Sequence, residues 1–177
     1  MTLSPYAVAV PTFITTLEAL DAILAKAVEF CAEKKIDQTV MCSTRLMPDM
    51  LTFARQVMIA CDHAKNGPSR IAGSEAPRFE DTETTIDQLR ERIAKTLAYV
   101  RSIDEAALNA GAGKVIEFKI GPNVMRQETM LYLVHFVLPN FYFHVTTAYA
   151  ILRASGLGIG KRDFLGAVPG LTVVGAN

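Results

Sequence analysis

TMLYLVHFVLPNFYFHVTTAYAIL, running from Thr129 to Leu152, contains no Asp, Glu, Lys or Arg. It is long enough to cross a bilayer, which takes about 20 residues. It also carries His135, Pro139, Asn140, His144 and the pair Thr146-Thr147, and a lone membrane helix would have to desolvate most of these groups. A helix that is apolar on every side is equally the central helix of a bundle. We adopt that reading, with no membrane partner, because no other segment resembles a span. The helix is expected from about Arg126 to Ser155, with Gly156 as its C-terminal cap.

Working outward, GKVIEFKIGPN (residues 113–123) alternates Ile116, Phe118 and Ile120 with Val115, Glu117 and Lys119. That period of two predicts a short extended segment before the last helix. Three more helices precede it. The first is expected from Pro5 to Lys34: Ser4 can cap it, Pro5 suits the first position, and Pro11 predicts a kink or a late start. The second is expected from about Arg45 to Lys65, stopped by Gly67-Pro68. The third runs from about Thr82 to Ile103, capped by Asp81 or Thr82, with Glu83 in its first turn. Its inner positions are Ile86, Leu89, Ile93, Leu97 and Val100, and Arg90, Glu91, Arg92 and Lys95 mark a solvated face. The tail after Gly156 reads as loop. The expected fold is an all-α four-helix bundle, one domain over residues 1–177 with its core at about 4–156 and a loop tail at 157–177. Long connections near 66–81 and 104–125 imply at least one crossover.

Composition agrees with a globular chain. Half of the 177 residues are hydrophobic and 20% are charged, with 18 basic against 18 acidic side chains. That balance offers no basic patch for nucleic acid. Cys31, Cys42 and Cys61 are odd in number and form no CxxC pair, which argues against disulfides or a cysteine zinc site. Reduced thiols and an N-terminus without a basic leader point to the cytoplasm.

Few residues carry chemistry. The histidines are His63, His135 and His144. At about 100° per residue, His135 and His144 fall on opposite sides of one helix, whereas Asn140 and His144 share a face. On the second helix Asp49, Gln56 and His63 recur every seven residues, with Arg45 and Thr52 near the same line. This stripe either rims the solvated side, continuing into Arg55, Asp62 and Asn66, or points into the bundle. If it points inward, His63 and His144 converge as bundle metal ligands do, with Asn140, Asp49 or Asp62 as alternative third ligands. Arg45, Asp49 and Gln56 would then line the pocket. The bland reading makes His144 a hydrogen-bonded core residue, His135 structural, and Arg45 and Asp49 a local ion pair. Gly156–Lys161 is one residue short of a phosphate loop and follows a helix, not a strand. No GxSxG element is present.

Two longer runs carry a resemblance. PNFYFHVTTAYAILRASGLGIGKRDFLG (Pro139 to Gly166) and STRLMPDMLTFARQVMIACDHAK (Ser43 to Lys65) resemble an uncharacterised bacterial domain-of-unknown-function family related to the DinB/YfiT-like helical bundles. The resemblance implies a DinB-like four-helix bundle with a crossover, often a homodimer. In the wider group three histidines hold a divalent metal, and some members are thiol transferases or detoxification enzymes. His63 stands for the second-helix histidine, although it falls near the expected end of that helix. His144 stands for the second of the fourth-helix pair, and Asn140 occupies the place of the first. Two functions follow. One is a metal-dependent enzyme acting on a small molecule or thiol through one zinc, nickel, iron or manganese ion. The other is a non-enzymatic dimeric bundle that binds a ligand or protein and has lost the metal.

Overall fold

The computed structural model describes residues 3–172 and 174–175. The outermost parts of the expected domain, residues 1–2, 173 and 176–177, lie outside the described residues. Helix α1 spans Pro5–Lys34, and the Ser4 side chain accepts from the Ala7 N–H. Helix α1 continues through Pro11 from the expected start, so the late start did not occur. A short α2 (Gln38–Ser43) follows, then α3 (Phe53–Ala72), α4 (Ile86–Arg101) and α5 (Glu105–Asn109). Strands β1 (Val115–Ile120) and β2 (Asn123–Glu128) form an antiparallel hairpin. The last long helix comes in three parts: α6 (Thr129–Tyr132), a wide π turn (Leu133–Val137) and α7 (Leu138–Ala154). A final α8 spans Lys161–Leu165.

Four helices form the bundle. Helix α1 packs beside α4 and α7, and α3 packs beside the same two. The connections from α1 to α3 and from α4 to α7 therefore cross the bundle. The connection near 66–81 joins neighbours and the one near 104–125 crosses the bundle, so the expected crossover is present. The core is one apolar cluster drawn from all four helices and from Ile116 and Phe118 of the hairpin. Phe13 of α1 meets Phe141 of α7 edge-on at 4.9 Å, and both are fully buried. Each contributes roughly 1.5–3 kcal/mol by burial alone.

The second helix required the largest correction. It begins at Phe53, where Thr52 accepts from the Arg55 N–H, and the Phe53 N–H is already turned back to the Thr44 carbonyl. Residues 44–52 are therefore loop. At the other end Gly67 and Pro68 lie inside α3, which stops at Gly73 in the left-handed conformation. Gly67 is present for packing: a Cβ there would sit 2.5 Å from Val137 Cγ1. Alanine would gain up to about 1 kcal/mol of helix propensity, but overpacking costs about 1–3 kcal/mol. We expect Gly67→Ala to lower stability in urea unfolding and Val137→Ala to restore part of the loss in the double variant. Independent, additive losses would contradict this.

Helix α4 also starts late. Thr85 caps it in a capping box with Gln88, so Asp81, Thr82 and Glu83 precede the helix. Glu83 bonds Arg92 instead. Arg92, expected on the solvated face, is 1% exposed. Its guanidinium meets Asp62 at 3.1 Å, Asp81 at 3.0 Å, Glu83 at 3.0 Å and the Glu80 carbonyl at 2.9 Å. Partners from distant segments made burial of that charge tolerable, and helical spacing alone does not reveal them.

The single extended segment became a hairpin that turns at Gly121-Pro122, with Gly121 at φ 55. Ile116 and Phe118 face inward as the alternation required, but Ile120 is exposed. Glu128 caps α6 by accepting from Met130 and Leu131, so the last helix starts at Thr129 and not near Arg126. The π turn lies just before Pro139, whose ring would clash with the carbonyl four residues back in a regular helix. The tail is not all loop, because α8 packs on α1 and Lys26 binds Asp163 at 2.5 Å. Helix α1, not foreseen as span-like, is also long and apolar enough to cross a membrane, and half of that apolar stretch is buried in the bundle.

Candidate functional site

The packed seam between α3 and the α6–π–α7 helix gathers the chemistry. His63 sits midway along α3, because that helix runs on to Ala72. Its imidazole stacks on that of His144 of α7, with centroids 6.0 Å apart and planes 16° from parallel. The sequence stripe thus faces inward at Gln56 and His63.

Gln56 is 1% exposed. Its Oε1 lies 2.7 Å from His144 Nδ1, and its Nε2 donates to the Leu51 carbonyl at 3.3 Å. With the amide nitrogen committed as donor, the oxygen accepts, so the proton belongs on Nδ1 of His144. That leaves Nε2 of His144 with a free lone pair, since the hydrogen bond made by one ring nitrogen sets the role of the other.

Both imidazoles are held neutral. Burial, then the neighbouring His144, push the His63 pKa down to about 4; Arg70 lowers it further and Asp62 opposes. Burial also lowers that of His144. Neutral rings at pH 7 can accept a proton or donate a lone pair.

Aromatic rings continue the row. Phe136 lies edge-on to His63 at 6.0 Å and stacks on Tyr132 at 5.7 Å. Phe118 of β1 covers both, at 4.8 Å from Tyr132 and 4.7 Å from Phe136. The row ends at Arg70, whose Nη1 donates to the Tyr132 hydroxyl at 2.9 Å. The sequence reading missed Phe118, Tyr132, Phe136 and Arg70. Extending the seven-residue stripe from Gln56 and His63 by one more step reaches Arg70.

Other expected residues lie elsewhere. Arg45 and Asp49 are exposed on the loop before α3, because Thr52 caps the helix after them. Arg45 donates to the Met50 carbonyl, and no Arg45–Asp49 ion pair forms among the described residues. His135 is exposed on the far side of its helix from His144. Cys42 and Cys61 are buried thiols, each pushed up to about 12 chiefly by burial, and so unreactive as nucleophiles.

A three-ligand metal centre does not fit this donor set. Asn140 donates its amide nitrogen to the Phe136 carbonyl at 2.7 Å, which leaves only a weakly ligating oxygen. Asp62 is turned to Arg92 and Lys65, at 3.1 Å each. Asp49 is on the loop. Among the described residues no three His, Cys, Asp or Glu side chains gather in ligand geometry.

Comparison with known proteins places the chain in a family. Residues 6–165 match the family described as "Domain of unknown function (DUF1993)". The chain belongs to that family. Among solved structures, this DUF1993 chain is similar to a DinB family member protein from Shewanella denitrificans, with 38% identity, 95% of each chain covered and a TM-score of 0.84. The all-α DinB-like bundle is thereby shown. No curated protein matches the DUF1993 chain.

Proposed function

We propose that this DinB-like protein binds a small molecule at the seam between α3 and α7, where His63 and His144 are both half-buried, with that pair as its working centre. The observation that carries this reading is the stacked pair itself, with Gln56 fixing the ring of His144. Two neutral imidazoles beside a row of buried rings make a site that is mostly apolar with a few oriented polar atoms, as small-molecule sites usually are. Either ring can take a proton from a bound ligand. In this reading the third metal ligand has been replaced by Asn140, which supports the backbone of the π turn.

A second reading keeps a divalent ion, zinc, nickel, iron or manganese, on the same two imidazoles. The Gln56 bond favours it, because ligating histidines usually donate their other N–H to a fixed acceptor. Metal content by mass spectrometry, on untagged protein dialysed against each ion, separates the two. We expect little bound metal and no change in His144→Ala. Near-stoichiometric metal that disappears in that variant would establish the second reading. Under the first, a ligand at about 100 times its Kd adds about 2.7 kcal/mol, so a thermal-shift screen should find compounds whose stabilisation is lost in both His144→Ala and Gln56→Leu.

A homodimer is part of the proposal. Residues 3–17 and 129–152 carry no charged side chain, and they lie on the adjacent helices α1 and α6–α7. Leu3, Leu131, Val134 and Tyr142 are exposed there, as buried interface cores require. Sedimentation equilibrium should give a dimer, and Val134→Glu a monomer; a monomeric wild type would contradict it. Three free, buried cysteines support a cytoplasmic setting.

A further inference from the structure

One to two turns beyond His63, toward the end of α3, lies a hollow of about 350 Å³ whose lining includes Asn66, Ser69, Arg70, Ser74, Glu75 and Arg78. Asn66 follows His63 by one turn and Arg70 by two, about 10.5 Å along the helix. The Arg70 guanidinium is fixed at one nitrogen by the fully buried Tyr132 hydroxyl. Neither Arg70 nor Arg78 has a carboxylate within ion-pair distance among the described residues, as is also true of Arg45, Arg153 and Arg162, whereas Arg55, Arg90, Arg92, Arg101 and Arg126 do; of the unpaired five, Arg70 and Arg78 share one hollow.

We propose that the hollow receives an anionic group, a carboxylate or a phosphate, of the ligand that reaches the His63–His144 pair, with Arg70 as its principal anchor. This rests on the reading of the pair as the working centre. A planar guanidinium matches both anions through two parallel hydrogen bonds, and Arg70 keeps donors free for that purpose. Two opposing charges limit the affinity: Glu75 in the lining, and the carbonyl end of α3, which disfavours anions. The two arginines outweigh Glu75 by one unit, so binding of a bare anion should be weak and saturable, and the remainder of the ligand, reaching past the half-buried Phe136 toward the histidines, supplies the rest.

The test is a titration of nitrogen-15-labelled protein with inorganic phosphate, and separately with succinate, at constant ionic strength against a chloride control. The arginine side-chain and histidine ring resonances are followed. Saturable shifts of Arg70 and of the His63 ring, with one common midpoint, are expected. Whichever anion saturates at lower concentration identifies a phosphorylated or a carboxylated ligand, and either result supports the anchor. Binding should weaken at least tenfold in Arg70→Gln and several-fold in Arg78→Gln, and remain in His144→Ala. Should Arg70→Gln not fold, because Tyr132 loses its partner, Arg70→Lys keeps a donor and should still bind several-fold more weakly. No saturation beyond chloride, or equal binding in the Arg70 variants, overturns the proposal. So does an Arg70 shift that leaves the His63 ring unmoved, and that result would not touch the pair itself, which His144→Ala tests separately.

Discussion

Replacing Arg92 with alanine is expected to lower the melting temperature by roughly 6–12 °C and to free the connection between α3 and α4. Arg92 is 1% exposed and holds Asp62, Asp81, Glu83 and the Glu80 carbonyl at once. Breaking a buried pair by removing one partner costs about 3–5 kcal/mol. The lower end applies, since the side chains of Asp62 and Asp81 are 33% and 39% exposed and can hydrate once Arg92 is gone. For a domain of this size each kcal/mol moves the midpoint by about 2–4 °C. Arg92 also stands over the Phe79 ring at 5.5 Å, so the connection loses its apolar anchor as well. Trypsin cleavage after Arg78, which lies in that connection, should accelerate in the variant. A midpoint within about 2 °C of wild type would show that the network contributes little, as exposed ion pairs do.

The second large effect is a pH dependence at His63. The unfolded chain takes up that proton near pH 6.5, whereas the folded chain resists until about 4. Between those values the unfolded state binds more protons, so stability falls as the pH falls. The contribution is complete above pH 6.5 and lost on descending toward 4, by up to about 3 kcal/mol. Burial is its main cause, followed by His144, which opposes the charge; Asp62 favours the charge and Arg70 opposes it. Urea unfolding between pH 7.5 and 4 should show this slope in wild type and a flatter one in His63→Phe, which keeps the ring stacking. Asp81 acts in a lower window with the same sign. The Arg55 hydrogen bond, helped by Arg92, holds its carboxyl below the usual range, so its contribution is present above about pH 4 and fades below. An unchanged slope in His63→Phe would mean that the imidazole is solvated.

The bundle was legible in the sequence because its signal is periodic and local. Ser4-Pro5 located the start of α1, and the spacing of Ile86, Leu89, Ile93, Leu97 and Val100 located the buried face of α4. All five of these are buried. Boundaries failed where one local rule displaced another. Pro68 reads as a helix stop, yet α3 passes through it to Ala72, and Gly67 beside it lets the π turn approach closely. Thr85 displaced Thr82 as cap because Gln88 completes the reciprocal bond. The second strand was hidden because Val124 and Met125 are exposed, so no inward alternation marks it. At the candidate site, the seven-residue spacing singled out Gln56 and His63, and the scarcity of histidines, with the face shared by Asn140 and His144, singled out His144; the resemblance pointed to the same pair. Asp49 was carried along by the same arithmetic, although Thr52 ends the helix before reaching it. Arg92 was misplaced because what buries it, carboxylates at 62, 81 and 83, is a property of the folded chain.

The central claim is an oriented, neutral imidazole pair. The most direct measurement is a long-range proton–nitrogen NMR spectrum of the histidine rings at pH 7, on wild type and on Gln56→Leu. His144 should be protonated at Nδ1 only, with an unprotonated Nε2, His63 should be neutral, and the His144 preference should relax in Gln56→Leu. A His144 ring protonated at Nε2 or at both nitrogens, or one indifferent to Gln56, would contradict it.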